Sequence, residues 1–105
     1  MGLAKKYLLI MNILLTGANG FLGKIIINTL KKGYRFIALS RNSGEYRICL
    51  DKQIPNFHQS FDLVVHSAGK AHSVPKSLEE SLEFHQTNFI GTQNLLTGLE
   101  QSCQI

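Results

Sequence analysis

Three glycines, Gly17, Gly20 and Gly23, stand three residues apart, directly after a short apolar run and directly before a helical pattern. Lone glycine spacings are weak signals. Between a strand and a helix each glycine serves a distinct purpose. The first permits a sharp turn, the second lets backbone approach an anion, and the third lets helix and strand pack closely. The first turn of a helix carries N–H groups with no partner inside the helix, and its dipole adds a partial positive charge. The chemistry implied by Thr16-Gly-Ala-Asn-Gly-Phe-Leu-Gly23 is therefore the holding of a pyrophosphate, with Gly17, Asn19, Gly20, Phe21, Leu22 and Gly23 around it. The bland alternative is a turn that does no more than cap a helix.

The elements that must position this turn follow from the pattern on either side. Asn12–Leu15 reads as a buried strand, apolar on both faces as parallel strands are. A helix is expected over Phe21–Lys32 with Leu22, Ile25, Ile26 and Leu30 inward, Lys31 and Lys32 in its last turn and Gly33 as its stop. Strand two is expected at Arg35–Ser40, a turn at Arg41–Gly44, and a short third strand at Arg47–Leu50. The connector Asp51–Ser60 contains Pro55 and is too short for a good crossover helix. Strand four is Asp62–His66, and after a loop with Gly69 and Pro75 a long helix runs over Ser77–Gln101, its buried stripe marked by Leu82, Phe89, Leu96 and Leu99. Apolar runs alternating with helical patterns define an α/β protein. The expectation is a partial Rossmann fold, doubly wound, with a parallel sheet of about four strands and flanking helices.

The motifs now resemble a family. The glycine turn looks like the cofactor fingerprint of the extended short-chain dehydrogenase/reductases, the NAD(P)-dependent nucleotide-sugar epimerases and dehydratases. Their first-domain markers recur in order. Asp51 follows strand three, where the family's acidic residue contacts adenine. His66-Ser-Ala-Gly69 ends strand four, where the family's His-x-Ala-Ala/Gly lines the cofactor, here through Ala68 and Gly69. Asn88-Phe-Ile-Gly-Thr92 sits in the long helix like the family's Asn-x-x-Gly-Thr. The likeness covers Met11 to Gln101. Each marker also has a plainer reading: Asp51 as a strand-end turn residue, His66 as a core histidine, and Asn88 as a buried amide that ties down a neighbouring loop.

The cofactor choice rests on the end of strand two. An acid there would bind a ribose 2′-hydroxyl and repel a 2′-phosphate. Ser40-Arg41 stands in that place, a hydroxyl and a guanidinium, which suits a phosphate. NADP is expected ahead of NAD, unless Arg41 is simply an exposed turn residue.

The family's enzymes use a Tyr-x-x-x-Lys pair, in which Lys lowers the Tyr pKa for general acid/base work. Tyr7, Tyr34 and Tyr46 are followed four residues on by Met11, Ala38 and Leu50. No catalytic residue and no metal ligand set is assigned, and the chain by itself is expected to be inactive. Residues 11–105 are read as a truncated NAD(P)-binding domain and 1–10 as an upstream extension, with a nucleotide-sugar substrate belonging only to an intact parent. In the doubly wound order strand four would pair with a fifth strand. Without it the Leu63-Val-Val65 edge is exposed, a route to self-association. The competing reading is a stand-alone dinucleotide-binding module, or one half of a split enzyme.

Composition narrows the remaining classes. The 105 residues are 44% apolar, enough for one small core. The net charge of +4 divides into +7 over residues 1–52 and −3 beyond, but the basic residues are scattered and not interleaved with aromatics, so no nucleic-acid partner is expected. Cys49 and Cys103 match no metal or redox spacing and read as small buried residues of a reducing cytoplasm. The run from Lys5 to Leu15 has the look of a signal peptide. The glycine turn that follows favours the strand, and no membrane partner is expected.

Overall fold

The structure, a computed structural model, describes residues 11–30, 32–68 and 76–102. The expected upstream extension, Lys31, Gly69, the loop to Pro75 and Cys103 lie outside the described residues. Two compact units are present, one within residues 11–47 and 61–67, the other within 48–60 and 68–102.

The first unit is the sheet and its glycine turn. β1 (Met11–Thr16) is buried from Ile13 to Thr16, as a strand apolar on both faces must be. α1 (Phe21–Leu30) follows the turn. β2 (Tyr34–Ser40), β3 (Tyr46–Arg47) and β4 (Leu63–His66) complete a four-stranded sheet in the order β3-β2-β1-β4, parallel at every pairing. β1 pairs with β2 from Met11↔Tyr34 to Thr16↔Leu39 and with β4 from Ile13↔Leu63 to Thr16↔His66. The fully buried Leu14, Leu15, Ile37 and Leu39 form its core. At the start of the β1–β4 pair, the Asn12 N–H donates to Asp62 Oδ2 at 2.7 Å and the Asp62 N–H donates to the Asn12 carbonyl at 2.8 Å. Among the described residues β4 has a neighbour on one side only, and Leu63 on it is exposed.

Two expectations for this unit are corrected. The third strand ends at Arg47, because the Lys52 and Gln53 N–H groups both turn back to the Cys49 carbonyl, at 2.9 and 3.1 Å, and curl the chain where Leu50 was to be extended. The less exposed side of α1 is Gly23, Ile26 and Ile27; Leu22, Ile25 and Leu30 are exposed. Hydrophobic spacing chose the bulky residues, whereas close approach at Gly23 sets which face turns in.

The second unit contains the connector and the long helix. The helix is continuous but not uniform: α2 (Leu78–His85), a π-helical stretch over Gln86–Ile90, and α3 (Gly91–Ser102). Ser77 caps the start, its side chain accepting from the Glu80 N–H. At the widened turn the Gly91 N–H reaches back five residues to the Gln86 carbonyl. Leu82, Phe89 and Leu96 are exposed and Leu99 half-buried, so the expected stripe is wrong. The buried stripe is Gly91, Leu95 and Gly98, with Leu50, Pro55 and Phe57 of the connector also buried. The small residues face in because the connector approaches closely: a Cβ on Gly98 would lie 2.6 Å from the Pro55 carbonyl oxygen.

Candidate functional site

The glycine turn is built as its spacing implied. Gly17 has a φ of 69°, a conformation an L side chain resists. Its N–H continues the sheet by donating to the Leu39 carbonyl at 3.1 Å, and its own carbonyl accepts from the Gly20 N–H at 2.9 Å. The chain then turns straight into α1, where the Lys24 N–H donates to the Gly20 carbonyl at 3.1 Å. A Cβ on Gly23 would sit 2.9 Å from Ala18 Cα and 3.0 Å from the Ala18 carbonyl oxygen, and closer still to that of Gly17. Only a glycine lets the helix start this near the strand's end. The N–H groups of Asn19, Phe21, Leu22 and Gly23 have no hydrogen-bond partner among the described residues. Four donors at the positive end of a helix suit an anion such as a pyrophosphate.

The end of β2 is tied to this turn. Asn19 Nδ2 donates to Ser40 Oγ at 3.3 Å and to Ser43 Oγ. Ser40 Oγ donates to the Ser43 carbonyl at 2.7 Å and accepts from the Ser43 N–H at 3.1 Å, closing the turn on itself. Arg41 is exposed, with no hydrogen bond or ion pair among the described residues. Ser43 was not singled out in the sequence; a second hydroxyl three residues beyond Ser40 was the available signal.

At the same end of the sheet the fully buried Thr16 meets β4. Its hydroxyl and His66 Nδ1 lie 2.6 Å apart, and its carbonyl accepts from the Ser67 hydroxyl, also at 2.6 Å. His66 is half-buried, and desolvation lowers its pKa below the usual 6.5. The imidazole is therefore neutral at pH 7.

In the second unit Asp51 lies in the turn after β3. Its Oδ1 accepts from Cys49 Sγ at 2.9 Å, so Cys49, half-buried, is a donor to a carboxylate and not merely a small core residue. The turn is held from the helix by two amides. Gln86 Nε2 donates to the Asp51 carbonyl and Asn94 Nδ2 to the Leu50 carbonyl, both at 2.6 Å. Asn88 is exposed, not the buried amide expected; it lies in the π-helical stretch, and its carbonyl accepts from the Thr92 hydroxyl at 2.6 Å. Gln86 and Asn94 are two amides that tie this turn to the helix. Ala68 is half-buried. Among the described residues no group of three His, Cys, Asp or Glu side chains is placed to hold a metal, and no helix is long and apolar enough to cross a membrane.

A parallel sheet in the order β3-β2-β1-β4, with a glycine turn leading from β1 into a helix, defines an α/β nucleotide-binding fold of the Rossmann type. The profile of the NAD dependent epimerase/dehydratase family matches residues 13–103, and the chain belongs to that family. It is similar to GDP-L-colitose synthase of Yersinia pseudotuberculosis, 33% identical over 95 residues, covering 88% of this chain and 30% of the relative. It is also similar to a decarboxylating sterol-4-alpha-carboxylate 3-dehydrogenase of Dictyostelium discoideum, 30% identical over 105 residues, covering 87% and 31%. The chain thus spans about 30% of the length of these curated relatives. Among solved structures, the protein lin1944 from Listeria innocua superposes with a TM-score of 0.68 at 25% identity, covering 88% of this chain and 50% of that one.

Proposed function

We propose that these 105 residues form the dinucleotide-binding part of an epimerase/dehydratase, with NADP preferred to NAD and the family's acid/base pair lying outside them. The observation that carries this reading is the row of unpartnered N–H groups at Asn19, Phe21, Leu22 and Gly23, behind the positive-φ turn at Gly17. Family membership supports NAD(P) as the anion they hold. The pyrophosphate would rest on those donors, and the nicotinamide it carries supplies hydride chemistry when bound. Arg41, exposed and without an ion pair among the described residues, on a turn with no acid at the end of β2, would take a 2′-phosphate. The family likeness extends the expectation of cofactor contact to Asp51, Ala68, Gly69 and Asn88. The two relatives are named for different chemistries, a GDP-linked sugar and a sterol carboxylate. The likeness therefore carries cofactor use further than substrate, and a nucleotide sugar is proposed only for an enzyme of full family length.

Calorimetric titration of the 105-residue chain with NADP+ and NAD+ tests this. The expected outcome is NADP+ binding at least about tenfold tighter, with Arg41→Ala bringing the ratio toward one, the loss expected for one charge-assisted contact. Comparable affinities in the parent chain, or an unchanged ratio in Arg41→Ala, would refute the preference. A second reading, a self-sufficient module that pairs with another copy through β4, draws on the outer edge of that strand, which has no neighbour among the described residues, and on the exposed Leu63. It predicts a dimer in sedimentation that Leu63→Lys abolishes.

A further inference from the structure

Of the seven asparagines in the chain, Asn19 alone is followed by a glycine. An asparagine amide can be lost to its own backbone: the nitrogen of the next residue attacks the side-chain carbonyl carbon, and a five-membered imide closes. A following glycine, with no Cβ to crowd that nitrogen, favours the closure. Asn19 and Gly20 are both exposed, so water and hydroxide reach them. Burial therefore does not protect this pair, but hydrogen bonds oppose the reaction at both reacting groups. The attacking nitrogen must give up its proton, and the Gly20 N–H is donated to the Gly17 carbonyl at 2.9 Å. The departing nitrogen is Asn19 Nδ2, which donates to Ser40 Oγ at 3.3 Å and to Ser43 Oγ. Ring closure requires all of these bonds to be given up.

We propose that Asn19-Gly20 is a succinimide-forming deamidation site that the folded glycine turn holds off. The Gly20 nitrogen bonds to Asn19 Cγ, the Cγ–Nδ2 bond breaks, and Nδ2 leaves as ammonia with the proton that Gly20 gave up. Water then opens the imide at either carbonyl, giving aspartate or isoaspartate, with nothing oxidised or reduced. Both products carry a carboxylate where the amide stood, and isoaspartate also inserts a methylene into the main chain between β1 and α1. The new charge opposes any anion held by the N–H groups of Phe21, Leu22 and Gly23, so conversion of this one residue ages the turn as a binding site. The protection belongs to the turn itself and does not depend on which dinucleotide it takes.

The test ages the 105-residue chain in mildly alkaline buffer, native and in urea, and follows each asparagine by peptide mapping with mass spectrometry and isoaspartate detection. In urea Asn19 is expected to convert ahead of every other asparagine, to both aspartate and isoaspartate, and Gly20→Ala to slow it several-fold. In the native chain Asn19 is expected to convert at least about tenfold more slowly than in urea, the cost of opening one or two hydrogen bonds. Ser43→Ala removes one anchor of Nδ2 and is expected to recover part of that lost rate, with a thermal melt to show that the variant is folded. Should it fail to fold, the native-against-urea comparison of the parent decides. A native parent that converts Asn19 as fast as the unfolded chain overturns the protection. An Asn19 that another asparagine outpaces in urea, or that Gly20→Ala leaves unaffected there, overturns the site. A folded Ser43→Ala chain no faster than the parent overturns the anchoring by Ser43.

Discussion

Replacing Gly23 by alanine asks whether the helix really must start this close to the strand. Away from tertiary contacts, a glycine-to-alanine change inside a helix is stabilising by about 0.5–1 kcal/mol. Here the new methyl would meet three backbone atoms, at 2.9 Å from Ala18 Cα, 3.0 Å from the Ala18 carbonyl oxygen, and nearer than either to that of Gly17. Backbone cannot swing aside as a side chain does, so α1 must lift from the turn. Overpacking of this kind costs about 1–3 kcal/mol, which outweighs the helical gain and leaves a net loss of about 1–2 kcal/mol. For a domain of this size that lowers Tm by about 5–15 °C. Gly20→Ala is the matched comparison: its methyl would meet only the Gly17 carbonyl oxygen, at 3.2 Å, and the expected loss is less than half as large. Circular dichroism melts of the parent and both variants give the answer. A Gly23→Ala chain that melts at or above the parent, or a Gly20→Ala chain that loses more, would refute the packing argument and with it the role assigned to the third glycine.

Further outcomes follow from the buried polar groups. Thr16→Val keeps the shape of a fully buried residue but removes the hydroxyl that meets His66 Nδ1 at 2.6 Å. A loss of about 1–2 kcal/mol in urea denaturation is expected, and a midpoint equal to the parent's would show that the pair contributes nothing. Burial lowers the His66 pKa in the folded chain, so as pH falls the unfolded chain takes up this proton first. Stability then rises with pH in the window below 6.5 and is lost on acidification through it, with a slope of at most about 1.4 kcal/mol per pH unit. The pH dependence should flatten in His66→Gln; identical slopes in parent and variant would contradict the assignment. Asn94→Leu deletes the donor to the Leu50 carbonyl, a half-buried bond of 2.6 Å. It should cost about 1–2 kcal/mol and raise amide exchange over residues 49–53, and unchanged exchange there would mean the helix does not hold that turn.

What could be read from the residues alone was whatever depends on local backbone geometry. The turn between β1 and α1 was legible because Gly17 needs a positive φ and Gly23 a missing Cβ, and both demands are visible as glycine. Ile13-Leu-Leu15 announced a buried parallel strand by being apolar on both faces. The buried side of the long helix was not legible from its leucines. The connector comes within reach of Gly98, and that close approach, invisible to a hydropathy pattern, selects small residues over Leu82, Phe89 and Leu96. The third strand failed for a similar reason: Ile48-Cys-Leu50 has the composition of a strand, but backbone bonds back to Cys49 curl it. Asn19, Ser40 and Arg41 stood out by position, yet the hydrogen bonds that tie Asn19 and Ser40 to Ser43 depend on how the turn closes, which a sequence does not display.

The parallel pairing of β1 with both β2 and β4 also sets an order of assembly. Met11 and Tyr34 lie 23 residues apart along the chain, whereas Ile13 and Leu63 lie 50 apart. Closing the longer loop costs about 0.7 kcal/mol more in chain entropy, and its return is a four-residue strand against the seven of β2. The β1–α1–β2 segment therefore forms early and β4 joins late, as the strand least committed in the transition state. Substitutions in β4 should act mainly on the unfolding rate, and those in the β1–β2 pair on the folding rate.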